Sequence, residues 1–191
     1  MKIVELNIIT PEIIQSLNFN KDSVKSTLSR LVKEGRFIRL KRGVYINSSA
    51  DINLSELSNL IFQWSYISLD TVLYKYWIIK QYNNAIYSIS NLSKSESINI
   101  GSYNLYNYKN AIKSDIWIII NDNWLRIAEK ERALLDSLYL KIFSQNYPLD
   151  SELLFKNINR ELIDKLLPLY PMRVQNYYLK LYNESRSNIS P

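Results

Sequence analysis

The sequence predicts an α+β protein: an N-terminal winged helix-turn-helix followed by a mixed α/β domain with a small sheet and C-terminal helices. Three observations predict it. Two short helical patterns separated by Asn18-Phe19-Asn20 precede an alternating, basic stretch that turns at Gly43. Apolar residues then change from helical spacing to alternation between residues 85 and 128. Helical spacing returns from Glu129 to about residue 183.

Thr10-Pro11 reads as a helix start, a capping hydroxyl followed by a proline whose missing N–H is not needed there. Glu12 suits the positive end of the helix dipole, and Ile13, Ile14 and Leu17 give an apolar stripe. Asn20 is placed to cap a second helix that runs to about Glu34 and stops at Gly35. Val24, Leu28 and Leu31 share one face of it, with Val32 at the edge. The opposite face carries Asp22, Ser23, Ser26, Ser29, Arg30 and Lys33, with Lys21 and Lys25 on the flanks. In Arg36 to Ile46, Ile38 and Leu40 alternate with Arg39 and Lys41, and Gly43 supplies the positive φ of a tight hairpin. Ile3, Val4, Leu6, Ile8 and Ile9 read as a strand able to pair with that hairpin, where a full winged helix has a preceding helix. This first domain spans residues 1–47, and Asn47 to Asp51 is a polar linker.

The second domain spans residues 54–191. Leu54 to Trp64 and Leu69 to Trp77 have helical spacing, the latter with Ser68 as its cap. Ala85 to Ser90 and Ser97 to Tyr108 alternate as strands, the second broken at Gly101. Ile116 to Ile120 reads as a buried strand, Asn121-Asp122-Asn123 as a turn, and Trp124 to Ala128 as a return strand. Glu129 opens a helix carrying Ala133, Leu134, Leu135, Leu138 and Tyr139, whose Glu129-Lys130-Glu131-Arg132 start reads as solvated. Three helical segments follow at about 151–157, 160–167 and 172–183, with a polar, frayed tail from Asn183. Tyr103, Tyr106 and Tyr108 cluster on a strand, where core packing is the commoner use and base stacking the alternative.

Composition removes many function classes. The chain has no histidine and no cysteine, so Ser-His and Cys-His nucleophile pairs, His-ligated zinc and thiolate sites are impossible. Gly35, Gly43 and Gly101 are its only glycines, which leaves no glycine-rich phosphate loop. Glu129 and Asp136 are two helical turns apart with no supporting ligand pattern, so neither metal nor cofactor is expected, nor catalysis. No apolar run approaches the roughly 18 residues of a membrane span, and the start MKIVELNIIT lacks a secretion signal's long apolar stretch. The expectation is a cytoplasmic protein.

Charge is unevenly distributed. Of a net charge of +6, five lie in the first 49 residues: Lys2, Lys21, Lys25, Arg30, Lys33, Arg36, Arg39, Lys41 and Arg42 against Glu5, Glu12, Asp22 and Glu34. Such segregation fits a polyanion partner, since each neutralised phosphate releases condensed counterions; a solvated basic surface is the alternative. Small serines let a helix sit deep in a major groove, while Lys and Arg reach phosphates or guanine edges. The expected double-stranded DNA interface is therefore Lys21, Ser23, Lys25, Ser26, Ser29, Arg30 and Lys33 on the second helix. Arg39, Lys41 and Arg42 would lie along a backbone or enter a minor groove. One recognition helix buries little surface, so a homodimer or cooperative binding on an inverted repeat is expected.

The segments RLVKEGRFIRLKRGVYI, YISLDTVLYKYWII, IYSIS, INIGSYNLYNYK and IAEKERALLDSLYL occur in that order. Together they resemble the antitoxins of abortive-infection AbiE toxin–antitoxin systems, the AbiEi family, over residues 10–182. The most specific parts are Ile127 to Asp136 and Tyr66 to Ser68; Thr71-Val72-Leu73 departs from the family's Ala-Leu, and the first helix of the winged domain is missing. The resemblance implies a non-enzymatic phage-defence antitoxin. Its winged helix would bind an inverted-repeat operator and repress its own operon, and its second domain would counteract a nucleotidyltransferase-type toxin. Left open are neutralisation of a partner by direct contact and a stand-alone transcriptional regulator.

Overall fold

The computed structural model describes residues 5–18, 20–81, 83–91, 95–109, 112, 118–120, 125–144, 147 and 152–187. The protein is α+β, and its chain divides into two compact units, Met1–Asn53 and Leu54–Pro191.

In the first unit the order is β1 (Ile8–Ile9), α1 (Pro11–Ser16), α2 (Lys21–Lys33), β2 (Phe37–Lys41) and β3 (Val44–Asn47). Thr10 Oγ1 accepts from Ile13 N at 3.3 Å, and Pro11 opens α1. Asn20 Oδ1 accepts from the backbone of Asp22 and Ser23 at 3.0 and 3.1 Å, capping α2. Gly35, at φ +71°, ends that helix, with Gly35 N donating to the Val32 carbonyl and Arg36 N to that of Leu31. The strands form a three-stranded antiparallel sheet in the order β1-β3-β2. Of the strand expected before the helices, Ile8 and Ile9 pair with the hairpin, opposite Ile46 and Tyr45, while Leu6 lies outside the strand and Ile3 and Val4 lie outside the described residues. Ile9, Val24, Leu28, Leu31 and Phe37 make the core, with Leu6, Ile14, Val32 and Tyr45 packed against it. The alternation in β2 is shifted from expectation. Phe37 is the core residue and Ile38 is exposed, because Arg39 pairs with the core-packed Tyr45 before the register slips ahead of Lys41.

The second unit runs α3 (Leu54–Ile61), β4 (Tyr66–Ile67), α4 (Leu69–Lys75), β5 (Ala85–Ser90), β6 (Glu96–Ile100), β7 (Tyr103–Lys109), β8 (Ile118–Ile120), β9 (Arg126–Ala128), α5 (Lys130–Phe143), α6 (Arg160–Leu166) and α7 (Met172–Ser187). Short 3-10 turns lie at Phe155–Asn157 and Leu167–Leu169. The sheet order is β6-β7-β5-β4-β9-β8, with β5/β7 and β4/β9 parallel and the other pairs antiparallel. Every residue of β5 is buried, as expected of a strand covered on both faces. Tyr87, Tyr106 and Tyr108 stack along β5 and β7 with centroids 5.3 and 6.4 Å from Tyr87, and Tyr147 meets Tyr87 and Tyr108 edge-on. Tyr106 and Tyr108 are thus packing residues.

Several elements differ from expectation. The first helix stops at Ile61, and Trp64 lies in solvent at φ +61°. The described part of the isoleucine run is not buried: β8 is an edge strand of the sheet, with Ile119 and Ile120 exposed, and Ile116 and Trp117 lie outside the described residues. Its partner turn at Asn121 to Asn123, and Trp124, lie outside the described residues. Residues 152–154 are not helical, and α7 continues through the expected frayed segment to Ser187.

Candidate nucleic-acid interface

The caps at Asn20 and Gly35 fix the ends of α2, and its apolar stripe fixes its rotation. Burying Val24, Leu28 and Leu31 leaves Ser23, Lys25, Ser26, Ser29, Arg30 and Lys33 exposed. Lys21 opens the helix; its side chain lies outside the described residues. The Ser26 hydroxyl donates back to the Ser23 carbonyl at 3.0 Å, which keeps that side chain close to the helix surface. Arg30 is not a lone cation. Its Nη1 donates to Glu34 Oε1 at 2.7 Å, a pairing whose i,i+4 spacing is visible in the sequence.

The hairpin distributes its cations differently from a simple charged tip. Arg42 is exposed in the turn, Lys41 is half-buried at the end of β2, and Arg39 sits back along the strand. The Arg39 guanidinium lies 6.0 Å from the Tyr45 ring across the ladder. Gly43 is held by two constraints, φ +83° and an approach in which an added Cβ would stand 3.1 Å from Pro11 Cγ. The turn therefore packs on the start of α1, so the hairpin end is fixed in place.

In the second unit the Glu129-Lys130-Glu131-Arg132 run is a correction to the solvated helix start. Glu131 and Arg132 are buried, at 1% and 0% exposure. Glu131 Oε1 accepts from Asn159 N at 2.8 Å, tying α5 to the residue that caps α6. Arg132 Nε approaches Asp136 Oδ1 at 3.2 Å, and its Nη2 donates to Tyr66 Oη at 2.9 Å. Asp136 also accepts from Tyr66 Oη at 2.9 Å, Ser68 Oγ at 3.1 Å and Tyr170 Oη at 2.6 Å. Ser68 stands at the start of α4 but makes no side-chain cap there, because its hydroxyl serves Asp136. Burial pushes the Asp136 carboxyl up from the usual carboxylate range, opposed first by the Arg132 charge and then by the three hydroxyl donors. Burial works against the charged form of Arg132, and the Asp136 charge together with Tyr170 and Tyr66 outweighs it, holding the guanidinium protonated. This network joins β4, α5 and the segment before α7 through groups that satisfy one another.

Asp70 and Tyr147 form a second buried contact, the Tyr147 hydroxyl donating to Asp70 Oδ1. Burial raises the Asp70 carboxyl against that donor. Among the described residues no group of three or more His, Cys, Asp or Glu side chains is placed to hold a metal ion. No helix among them is long and apolar enough to cross a membrane.

Neither a protein-family model nor a curated protein matches the chain. Within the second unit, Tyr66 and Ser68 from one segment meet Arg132 and Asp136 from another.

Proposed function

We propose that the first unit is a winged helix-turn-helix that binds double-stranded DNA, and that the protein is an antitoxin repressing its own toxin–antitoxin operon. The observation that carries the DNA-binding reading is the exposed face of α2, where three serines alternate with Lys25, Arg30 and Lys33. Small side chains permit close approach to a groove, and the cations supply contacts to phosphates and base edges. Charge segregation into the same unit supports this reading. The autorepression and the action against a nucleotidyltransferase-type toxin rest on the AbiEi resemblance. The protein works in this reading without catalysis, in the cytoplasm, as a dimer or as cooperating monomers on an inverted repeat.

Electrophoretic shift on the DNA upstream of its own gene tests the first part. Wild-type protein is expected to shift that DNA in discrete steps. A Lys41→Ala/Arg42→Ala variant with undiminished affinity would remove the hairpin from the interface. Co-expression with an adjacent nucleotidyltransferase-like gene tests the second part, restored growth being the expected result and continued arrest the contrary one.

A further inference from the structure

The end of α4 is built unusually. Trp77 N donates to the Tyr74 carbonyl at 3.0 Å and Ile78 N to the Leu73 carbonyl at 2.8 Å, the closure that normally places glycine in the left-handed position. Here that position, at φ +57°, is held by a tryptophan. A bulky residue there is strained, and strain of this kind persists only where its surroundings enforce it. They do: Asn157 Nδ2, from a segment eighty residues away, donates to the carbonyls of Tyr76 at 3.0 Å and Trp77 at 3.3 Å. The strain is not offset by burial, since Trp77 is 67% exposed.

The Trp77 ring has an aromatic neighbour, and the adjacent exposed ring, Tyr76, has cations beside it. Tyr74 lies 6.1 Å from it, centroid to centroid. Tyr76, next in the chain and also exposed, has Lys75 Nζ at 5.9 Å and Lys130 Nζ at 5.7 Å from its ring. Lys130 additionally lies 4.0 Å from the buried Glu131 Oε1. The chemistry is that of a fixed π-surface with ammonium groups at its side.

We propose that Trp77 and Tyr76, with Lys75 and Lys130, form a stacking site for single-stranded nucleic acid. Bases unpaired from a duplex expose a face that an indole can cover, and the flanking ammonium groups suit the phosphates between them. A duplex hides those faces, so the site is separate from the one on α2. A protein partner fits less well, because aromatic hot spots at protein interfaces lie in patches depleted of lysine, whereas two lysines flank the Tyr76 ring here.

The test is fluorescence polarisation of the full-length protein with labelled oligouridylate and oligothymidylate, beside the duplex used for the shift assay. Trp77→Gly keeps and relaxes the turn, so it separates the ring's role from the fold's; Trp77→Phe keeps a π-face. Trp77→Gly is expected to weaken single-strand binding roughly tenfold with duplex binding unchanged, and Trp77→Phe to retain most of it. Lys75→Ala/Lys130→Ala is expected to lower the salt dependence of single-strand binding. Absence of single-strand binding by the wild type, unchanged affinity in Trp77→Gly, or an equal loss on duplex would each overturn the proposal. So would loss of a co-purifying protein from Trp77→Gly with single-strand affinity intact.

Discussion

Two of the protein's i,i+4 arginine–acid pairs, Arg30–Glu34 and Arg132–Asp136, are used in opposite ways. Arg30 and Glu34 meet at 2.7 Å with their side chains 60% and 40% exposed. Arg132 and Asp136 meet at 3.2 Å with both fully buried. The first pair is closer, yet water competes for each partner and salt screens them. The second is backed by Tyr66, Ser68 and Tyr170, with no water to replace any member that is lost. Distance therefore says little about what a pair is worth here; burial and the neighbours decide it. The exposed pair leaves its arginine free to exchange partners, which a binding surface requires, while the buried one locks three chain segments together.

The largest effect should come from the buried pair. Asp136→Ala strands a buried guanidinium and three hydroxyl groups, and is expected to cost about 3–5 kcal/mol in urea unfolding. Replacing Arg132 and Asp136 together with apolar residues of similar volume should cost much less, because no charge is left uncompensated. A cost below about 1 kcal/mol for Asp136→Ala would break the comparison, since that is what exposed pairs give.

Nothing in the sequence around Arg132 announced its burial. Glu-Lys-Glu-Arg at a helix start reads as solvated because periodicity reports which face is apolar, not what covers the first turn. The cover comes from Tyr66 and Tyr170, residues sixty-six and thirty-four positions from their bonding partners. Ser68 reads as a side-chain cap for the same reason: its actual partner is sixty-eight residues away. The isoleucines of β8 read as buried because a run of β-branched residues looks alike at the centre and edge of a sheet, and strand order is a property of the whole unit. Local features were legible. Asn20 and Gly35 mark the ends of α2 through bonds within a few residues, and the exposed face of Ser23, Ser26, Ser29 and Arg30 follows from the burial of Val24, Leu28 and Leu31. In the hairpin, Gly43 was legible as a turn, but its contact with Pro11 was not.

On the exposed side, Arg30→Ala is expected to weaken specific DNA binding by about 1–3 kcal/mol if Arg30 reads a base edge, and to relax preference at that base pair. Lys41→Ala should instead weaken all sequences alike and lower the salt slope by about one. Competition shifts against scrambled duplex separate the two; identical behaviour of both variants would remove Arg30 from base readout. Neither substitution should alter the unfolding midpoint appreciably.

Gly43→Ala addresses whether the hairpin's fixed end matters. The residue sits at φ +83° and its new methyl would meet Pro11 at 3.1 Å, so a destabilisation of about 1–2 kcal/mol is expected. If the hairpin contributes to the interface through its position, duplex affinity should fall as well in protein that is still folded. An unfolding curve superimposing on the wild type would show that the contact with α1 carries no constraint.

The smallest effect in stability is the sharpest for the comparison. Glu34→Gln keeps the shape of the exposed pair and removes one charge, so thermal unfolding should register less than about 0.5 kcal/mol. DNA should register more. The wild-type chain must give up the 2.7 Å contact before Arg30 can meet a phosphate or a base, and Glu34 repels the same phosphates. Glu34→Gln is therefore expected to tighten binding to scrambled duplex, with a steeper salt dependence, while leaving the fold untouched. Asp136→Asn, the same chemical change in the buried pair, should do the reverse and alter unfolding without altering the salt slope. If both variants moved stability by similar amounts, the distinction drawn from burial would fail, whatever either did to DNA.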